Sequence, residues 1–328
     1  MSTTREAGIV TTGLIQAPSS PPQTFLGFPL ALDLDALDAA VAILGIPYGM
    51  PYTPSEMAND QSRAPDAIRQ ASDQTHCSRE CFDWDLGGPL LDGRAIEVVD
   101  CGNVTADPSD HKAHYRHAEA AAKTIFQSGA TLVTLGGDHG VPIPVMRALQ
   151  GIADGITLVH VDAHLDWRDE SNGEREGFRS PIRRASEMAW FDRIVQIGIR
   201  GIGSLPTAEV EEARAYGADI ITAYEMHDIG MDAVLARIPD GGPYYLTIDA
   251  DGLDPTIMPA VMSQAPGGLT WVQIHKLIHG LVKKGRVLGM DLVEIAPSHD
   301  VGTITLVHAE RLICNFIGAC VRAGYYDQ

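Results

Sequence analysis

The stretch ITLVHVDAHLDWRD, residues 156–169, decides how this chain is read. It begins as a short apolar, β-branched run, the composition of a strand covered on both faces. Directly after that run, Asp162, His164 and Asp166 occupy every second position. Alternate side chains of extended backbone share a face, so two carboxylates and an imidazole converge just beyond the strand. Unpaired charge is costly in such a place, and the pattern calls for a cation.

Similar runs recur at 40–46, 95–100, 131–135, 193–199, 218–222, 244–248 and 286–293. Between them, helical periodicity covers 65–72, 110–128, 141–149, 206–216, 231–237, 270–284 and 302–323. Apolar strands separated by helices predict a mainly parallel α/β sheet with helices on both faces. An open doubly wound sheet and a closed eight-stranded barrel satisfy this pattern equally, and both place working residues beyond the carboxyl ends of the strands. Residues 1–30, with Pro18, Pro21, Pro22 and Pro29 among Gly, Ser and Thr, show neither period. They read as an irregular N-terminal arm of the kind that packs on a neighbouring subunit, and residues 31–328 read as one domain.

The chain has 328 residues, 45% of them apolar, enough for a large core. Its formal charge of −19 disfavours nucleic acid or an anionic membrane as partner and suits a cationic small molecule. Cys77, Cys81, Cys101, Cys314 and Cys320 are an odd count in a long chain and read as reduced thiols. No second pair follows Cys77 and Cys81 at zinc-site spacing. No secretion signal and no apolar run of ~18 residues is evident, so the expected location is the cytoplasm.

Four strand ends carry chemistry. Gly136-Gly137-Asp138-His139-Gly140 follows one, the opening stretch another, Asp249-Ala250-Asp251-Gly252 a third, and Glu294 before Pro297 the fourth. Asp162, Asp166, Asp249 and Asp251 bring four negative charges to one mouth, which two divalent ions would balance. Ions ~3.5–4 Å apart need bridging and terminal ligands, a number that four carboxylates and two imidazoles supply. This oxygen-rich set suits manganese first, with nickel, zinc or iron open. An EF-hand is excluded because its twelfth position, counted from Asp249, is Ala260.

The segments VTLGGDHGVPIPVMRAL, VHVDAHLDWRD, VQIGIRGI, LTIDADGLDP, APGGLT and DLVEIAPSHD resemble the metal-dependent ureohydrolases, the arginases and above all agmatinase-like enzymes. The resemblance implies His139, Asp162, Asp166 and Asp249 around one ion, and Asp162, His164, Asp249 and Asp251 around the other, with Mn2+ or Ni2+ as the pair. It also implies a three-layer α/β/α sandwich with an open, mainly parallel eight-stranded sheet, commonly as a trimer or hexamer. The reaction implied is hydrolysis of a guanidino compound to urea, or a substituted urea, and an amine. In it Glu294 orients the cation, Asp251 or a water passes a proton to the leaving amine, and Asp138 supports the turn or a ligating imidazole.

Two segments depart from the pattern. Where agmatinase-like sequences carry HGTPFRRA, this chain has FRSPIRRA, which puts Phe178 in the place of a histidine and Arg179 in that of a glycine. The early RPGARFGP signature is replaced by ANDQSRAP at 58–65. Both changes are expected on the pocket wall, where an aromatic residue favours a small alkylated guanidine or a biguanide of the metformin type over arginine. Agmatine or a guanidino acid is the alternative. His76, His227 and His299 are candidates to replace the missing histidine. A reading from another class is a metal-binding, non-catalytic subunit paired with an active paralogue. A deacetylase is disfavoured because the chain has no adjacent His-His pair.

Overall fold

Strands whose side chains are buried toward both faces require helices above and below, and the computed structural model has that arrangement, with the edge strand at 219–222 less covered. It describes residues 13–18, 23–56, 59–73, 79–105, 109–202 and 206–327. Nine strands form one sheet: β1 (Ile15–Gln16), β2 (Val41–Ile46), β3 (Val98–Val104), β4 (Thr131–Gly136), β5 (Ile156–Val161), β6 (Phe191–Ile199), β7 (Asp219–Thr222), β8 (Gly241–Asp249) and β9 (Gly285–Val293). Their order is β1-β3-β2-β4-β9-β8-β5-β6-β7, so the sheet is open. Strands β2 to β9 are all parallel.

The pleat of β5 shows how the layers arise. Ile156 and Leu158 pack on one face with residues of α2 (His111–Gln127), α3 (Pro142–Ala148), α4 (Pro181–Ser186) and α5 (Thr207–Tyr216). Val159 and Val161 pack on the other with α1 (Ala64–Asp73), α6 (Ala223–Ile229), α7 (Met231–Arg237), α8 (Trp271–Lys284) and α9 (Ile304–Arg322). Among the described residues α9 is long and apolar enough to cross a membrane, yet 78% of its apolar window is buried, which makes it a core helix.

The structure differs from the sequence-based expectation in three places. The stretch read as an irregular arm contributes β1, which pairs antiparallel with β3 through Ile15 and Gln16. Two residues are too few to show a period. Helices α4 and α6 are missing from the sequence-based reading; each spans less than two turns, as do α3 and α7, which that reading includes. His76, Cys77, Pro21 and Pro22 lie outside the described residues.

The central four strands run β4-β9-β8-β5. The chain leaves β4 for β5, and β8 and β9 later insert between them, so the four chemically rich turns become neighbours at a switch point of strand order. Close approach of these turns depends on glycine: a Cβ on Gly252 would lie 2.7 Å from the backbone nitrogen of Asp162.

A buried ion pair fixes the opposite flank. The Arg69 guanidinium of α1 donates to both carboxylate oxygens of Asp100 on β3 at 2.9 Å, and neither side chain is exposed. Asp100 also accepts from the backbone of Phe25 at 2.8 Å. Arg69→Met leaves a buried carboxylate without its cation and is expected to cost about 3–5 kcal/mol of stability in urea unfolding. A loss below about 1 kcal/mol would show that the pair contributes little.

Candidate metal centre

Asp162 is the hub of the site. It is fully buried at the end of β5, with Oδ2 3.0 Å from His139 Nδ1 and 2.8 Å from His160 Nε2, and Oδ1 3.4 Å from His164 Nδ1. His139 Nδ1 also faces Asp166 Oδ2 at 3.0 Å and Asp249 Oδ2 at 3.1 Å. His164 Nδ1 faces Asp251 Oδ2 at 3.1 Å. All six residues named as ligands from the sequence therefore stand together. Five of them fall, together with His160, into two overlapping groups, His139, His160, Asp162 and Asp166 in one and Asp162, His164 and Asp251 in the other; Asp249, expected in both, joins through its approach to His139. His160 is an addition, and its signal was present: the alternation 162, 164, 166 extends one step back to 160.

Backbone geometry holds these side chains in place. Asp251 Oδ1 accepts from the backbone of Ala163, and Asp249 Oδ1 from that of Asp251, at 3.1 and 2.8 Å. The buried Arg200 guanidinium clamps the same loop through the carbonyls of Asp251 and Ala265 at 2.7 and 2.6 Å. Asp166 and Glu294 adopt positive φ, 49° and 64°, a conformation that costs non-glycine residues free energy and is retained where surrounding structure enforces it.

The fit to cations can be tested on His139. Its Nε2 lies 3.1 Å from Thr247 Oγ1, whose hydroxyl donates to Asp291 Oδ1 at 2.6 Å. Tyr245 donates to the other Asp291 oxygen at 2.7 Å. Thr247 therefore accepts from Nε2, and this tautomer turns the lone pair of Nδ1 toward three carboxylates. Nδ1 is buried and has no aligned hydrogen bond with any of them. Lone pairs converging in this way are stable around positive charge.

Without a metal ion, a proton on Nδ1 takes the place of that positive charge. Burial opposes a proton on His139, yet Asp162, Asp166 and Asp249 raise its pKa well above the ordinary imidazole value. Burial, then the Asp251 and Asp162 charges, push Asp249 well above the carboxylate range, and burial with Asp162 pushes Asp251 up to about 6. The site holds more negative charge than its own residues balance. Four carboxylates with imidazole nitrogens, one carboxylate shared between the groups, fit a pair of divalent ions.

His164, Asp166, Asp249 and Asp251 open onto a cavity of about 300 Å³, and His139 and Asp162 lie behind them. Glu294 lines it, its Oε1 accepting from the backbone of His139 at 2.8 Å and Oε2 from Gln61 Nε2 at 2.9 Å. Burial and the neighbouring Asp138 push its pKa up to about 8. Asp138 accepts from the backbones of Gly140 and Gly49 and from Asn59 Nδ2, so it braces the turn and does not meet the His139 ring. Phe178 and Arg179 lie on the wall with Met262, Ser263, Asn59 and Gln61. The Phe178 ring packs 5.1 Å from that of Tyr52. Neither His227 nor His299 lines this cavity: His227 bonds the Gly267 carbonyl and His299 that of Val261. Asn59 and Gln61 belong to the altered segment 58–65 expected on the wall, whereas Met262 and Ser263 carry no local sequence signal, because tertiary folding alone brings them to the mouth.

Thr247→Val removes the acceptor that orients His139 while preserving shape. It is expected to weaken manganese affinity about 10–100-fold with a near-native melting temperature. Asp162→Asn, which removes the shared carboxylate, is expected to lower the bound metal measured by mass spectrometry. Full metal content in Asp162→Asn would rule out a centre built on this residue.

The sequence profile of the Arginase family matches residues 30–318. Agmatinase of Photorhabdus laumondii is 32% identical over 286 residues, covering 86% of this chain and 87% of that protein. Guanidinopropionase of Pseudomonas aeruginosa is 32% identical over 288 residues, covering 86% of each. Among solved structures, proclavaminate amidino hydrolase from Streptomyces clavuligerus superposes with a TM-score of 0.80 at 27% identity, over 94% of this chain and 99% of that one. A profile match across most of the chain, relatives above 30% identity and a shared fold agree: the protein belongs to the arginase family.

Proposed function

We propose that this chain is a binuclear-metal amidinohydrolase that cleaves a small guanidino compound to urea, or a substituted urea, and an amine. The observation that carries this reading is the meeting of four buried carboxylates and two imidazoles with Glu294 at one cavity of about 300 Å³. His139, Asp162, His164, Asp166, Asp249 and Asp251 are assigned to hold two divalent ions, Mn2+ or Ni2+. Bound there, such ions lower the pKa of water and make a strong nucleophile available at neutral pH. A delocalised guanidinium is a poor electrophile and needs one.

Glu294 is assigned to the substrate cation. A guanidinium beside it favours the ionised form that burial and Asp138 oppose, and the carboxylate, held by two protein donors, keeps lone pairs for guanidinium N–H groups. Asp251 stands at the border of metal cluster and cavity, placed to carry a proton to the departing amine. Phe178 and Met262 give the wall an apolar surface, which supports a small alkylated guanidine or a biguanide of the metformin type. A second reading, hydrolysis of a guanidino acid, is favoured by the Arg179 cation on the same wall and by the guanidinopropionase relative. We assign residues 31–328 to one catalytic domain behind an N-terminal arm. We place it in the cytoplasm as a homotrimer or homohexamer, or as a hetero-oligomer with a paralogous subunit.

The deciding experiment measures urea and substituted-urea release by the purified chain, loaded separately with manganese and nickel. The panel holds agmatine, arginine, guanidinobutyrate, guanidine, methylated guanidines and metformin. Turnover is expected to favour an alkylated guanidine or metformin and to vanish on metal removal. Silence across the panel with two ions bound would transfer the chain to the non-catalytic class. Glu294→Gln is expected to retain both ions and lose about 10²-fold or more in kcat/KM. Phe178→His is expected to shift preference toward agmatine by about tenfold, and an unchanged order of substrates would remove Phe178 from the specificity wall.

A further inference from the structure

We infer that Arg179 is a charge filter in the cavity wall, admitting guanidines with a neutral or anionic tail and turning away those with a second positive charge. The inference rests on the amidinohydrolase reading and adds to it a residue that decides between substrates.

Arg179 is held firmly. Its backbone nitrogen donates to Tyr52 Oη at 3.1 Å, and its carbonyl accepts from the backbone of Arg168 at 2.8 Å. The following residue, Ser180, shares a hydrogen bond of 2.8 Å with the same Tyr52 hydroxyl. The segment is thereby stitched to the end of the Asp162–Asp166 loop, and Arg183 donates to the carbonyl of Asp166 at 3.2 Å.

The Arg179 guanidinium sits 5.1 Å from the centre of the Phe178 ring. A cation over an aromatic face is stabilised without being neutralised. Its neighbours are treated differently: Arg175, Arg183 and Arg184 all pair with carboxylates, drawn from Asp169, Glu187 and Glu212. Among the described residues no carboxylate pairs with Arg179, although it lines a cavity rich in them.

The charges of the cavity show what this positive group does. Asp166, Asp249 and Asp251 belong to the proposed ions, and Glu294 to the guanidinium of the substrate. Asp138 bonds the backbones of Gly140 and Gly49, and Glu56 those of Tyr52 and Thr53. Those backbone donors fix the Asp138 and Glu56 carboxylates in place without removing their charge, and among the described lining residues Arg179 is the one arginine or lysine, the positive group available to whatever trails behind the guanidinium. A second cation there meets like charge, a carboxylate meets its opposite, and an alkyl group lies on Phe178. Like charges about 7 Å apart, in a medium between water and protein, disfavour binding about tenfold.

Three compounds with one four-carbon chain test this: butylguanidine, 4-guanidinobutyrate and agmatine carry a neutral, an anionic and a cationic tail. Dissociation constants on the manganese-loaded chain are measured by calorimetry, with urea release followed separately. Wild type is expected to bind agmatine about tenfold more weakly than butylguanidine, with a gap that narrows as salt rises. Arg179→Gln is expected to close that gap and weaken guanidinobutyrate about tenfold, whereas Arg179→Lys keeps the wild-type order. Equal binding of agmatine and butylguanidine by wild type overturns the filter, and so does an equal change for all three compounds in Arg179→Gln. A shifted binding order without urea release sinks the hydrolase reading and leaves the filter standing. Turnover with an unshifted order does the reverse.

Discussion

Four carboxylates buried at one mouth are the constraint on which this structure turns. Asp162, Asp166, Asp249 and Asp251 are each at most 5% exposed. Charge buried in that density is stable only against opposite charge, so every nearby element has to present its groups at a fixed spacing. The open sheet supplies this economically. Strands β4, β9, β8 and β5 lie side by side, and their carboxyl ends bring four short motifs from distant parts of the sequence within reach of one another.

Around that cluster the protein gives up local comfort for position. Asp166 and Glu294 accept positive φ, and Gly252 gives up a side chain so that its loop can press against Asp162. Arg200 is buried against main-chain carbonyls in place of a carboxylate, which lets it shape the Asp251 loop without neutralising it. Behind His139 the chain of Thr247 and Asp291 selects the tautomer and so decides which nitrogen faces the carboxylates. The ligands are thus prepared from behind as well as in front.

The cavity wall follows a different logic. Its floor is fixed by the cluster, but its side carries Phe178 and Arg179, with the Tyr52 ring packed behind Phe178 and the Arg179 cation beside it. The floor accounts for the reaction class. The wall is where this chain departs from the agmatinase-like pattern, and in our proposal it selects the tail that follows the guanidinium.

The sequence alone determined the eight parallel strands with helices on both faces and the six candidate ligands, because apolar runs and the motifs at their ends are local properties of the chain. Its motif match chose the open sheet over a barrel. Helices α4 and α6 and strand β1 are missing from the sequence reading, and at two to seven residues periodicity is a weak guide to them. Only the tertiary structure decided what depends on partners far apart in the chain. It joined His160 to the cluster, set Gln61 against Glu294 across 233 residues, and placed the Thr247–Asp291 relay behind His139. It also kept the Arg179 charge beside the cavity. Strand patterns record which face a residue occupies, whereas the companion it meets there is settled by the packing of the whole sheet.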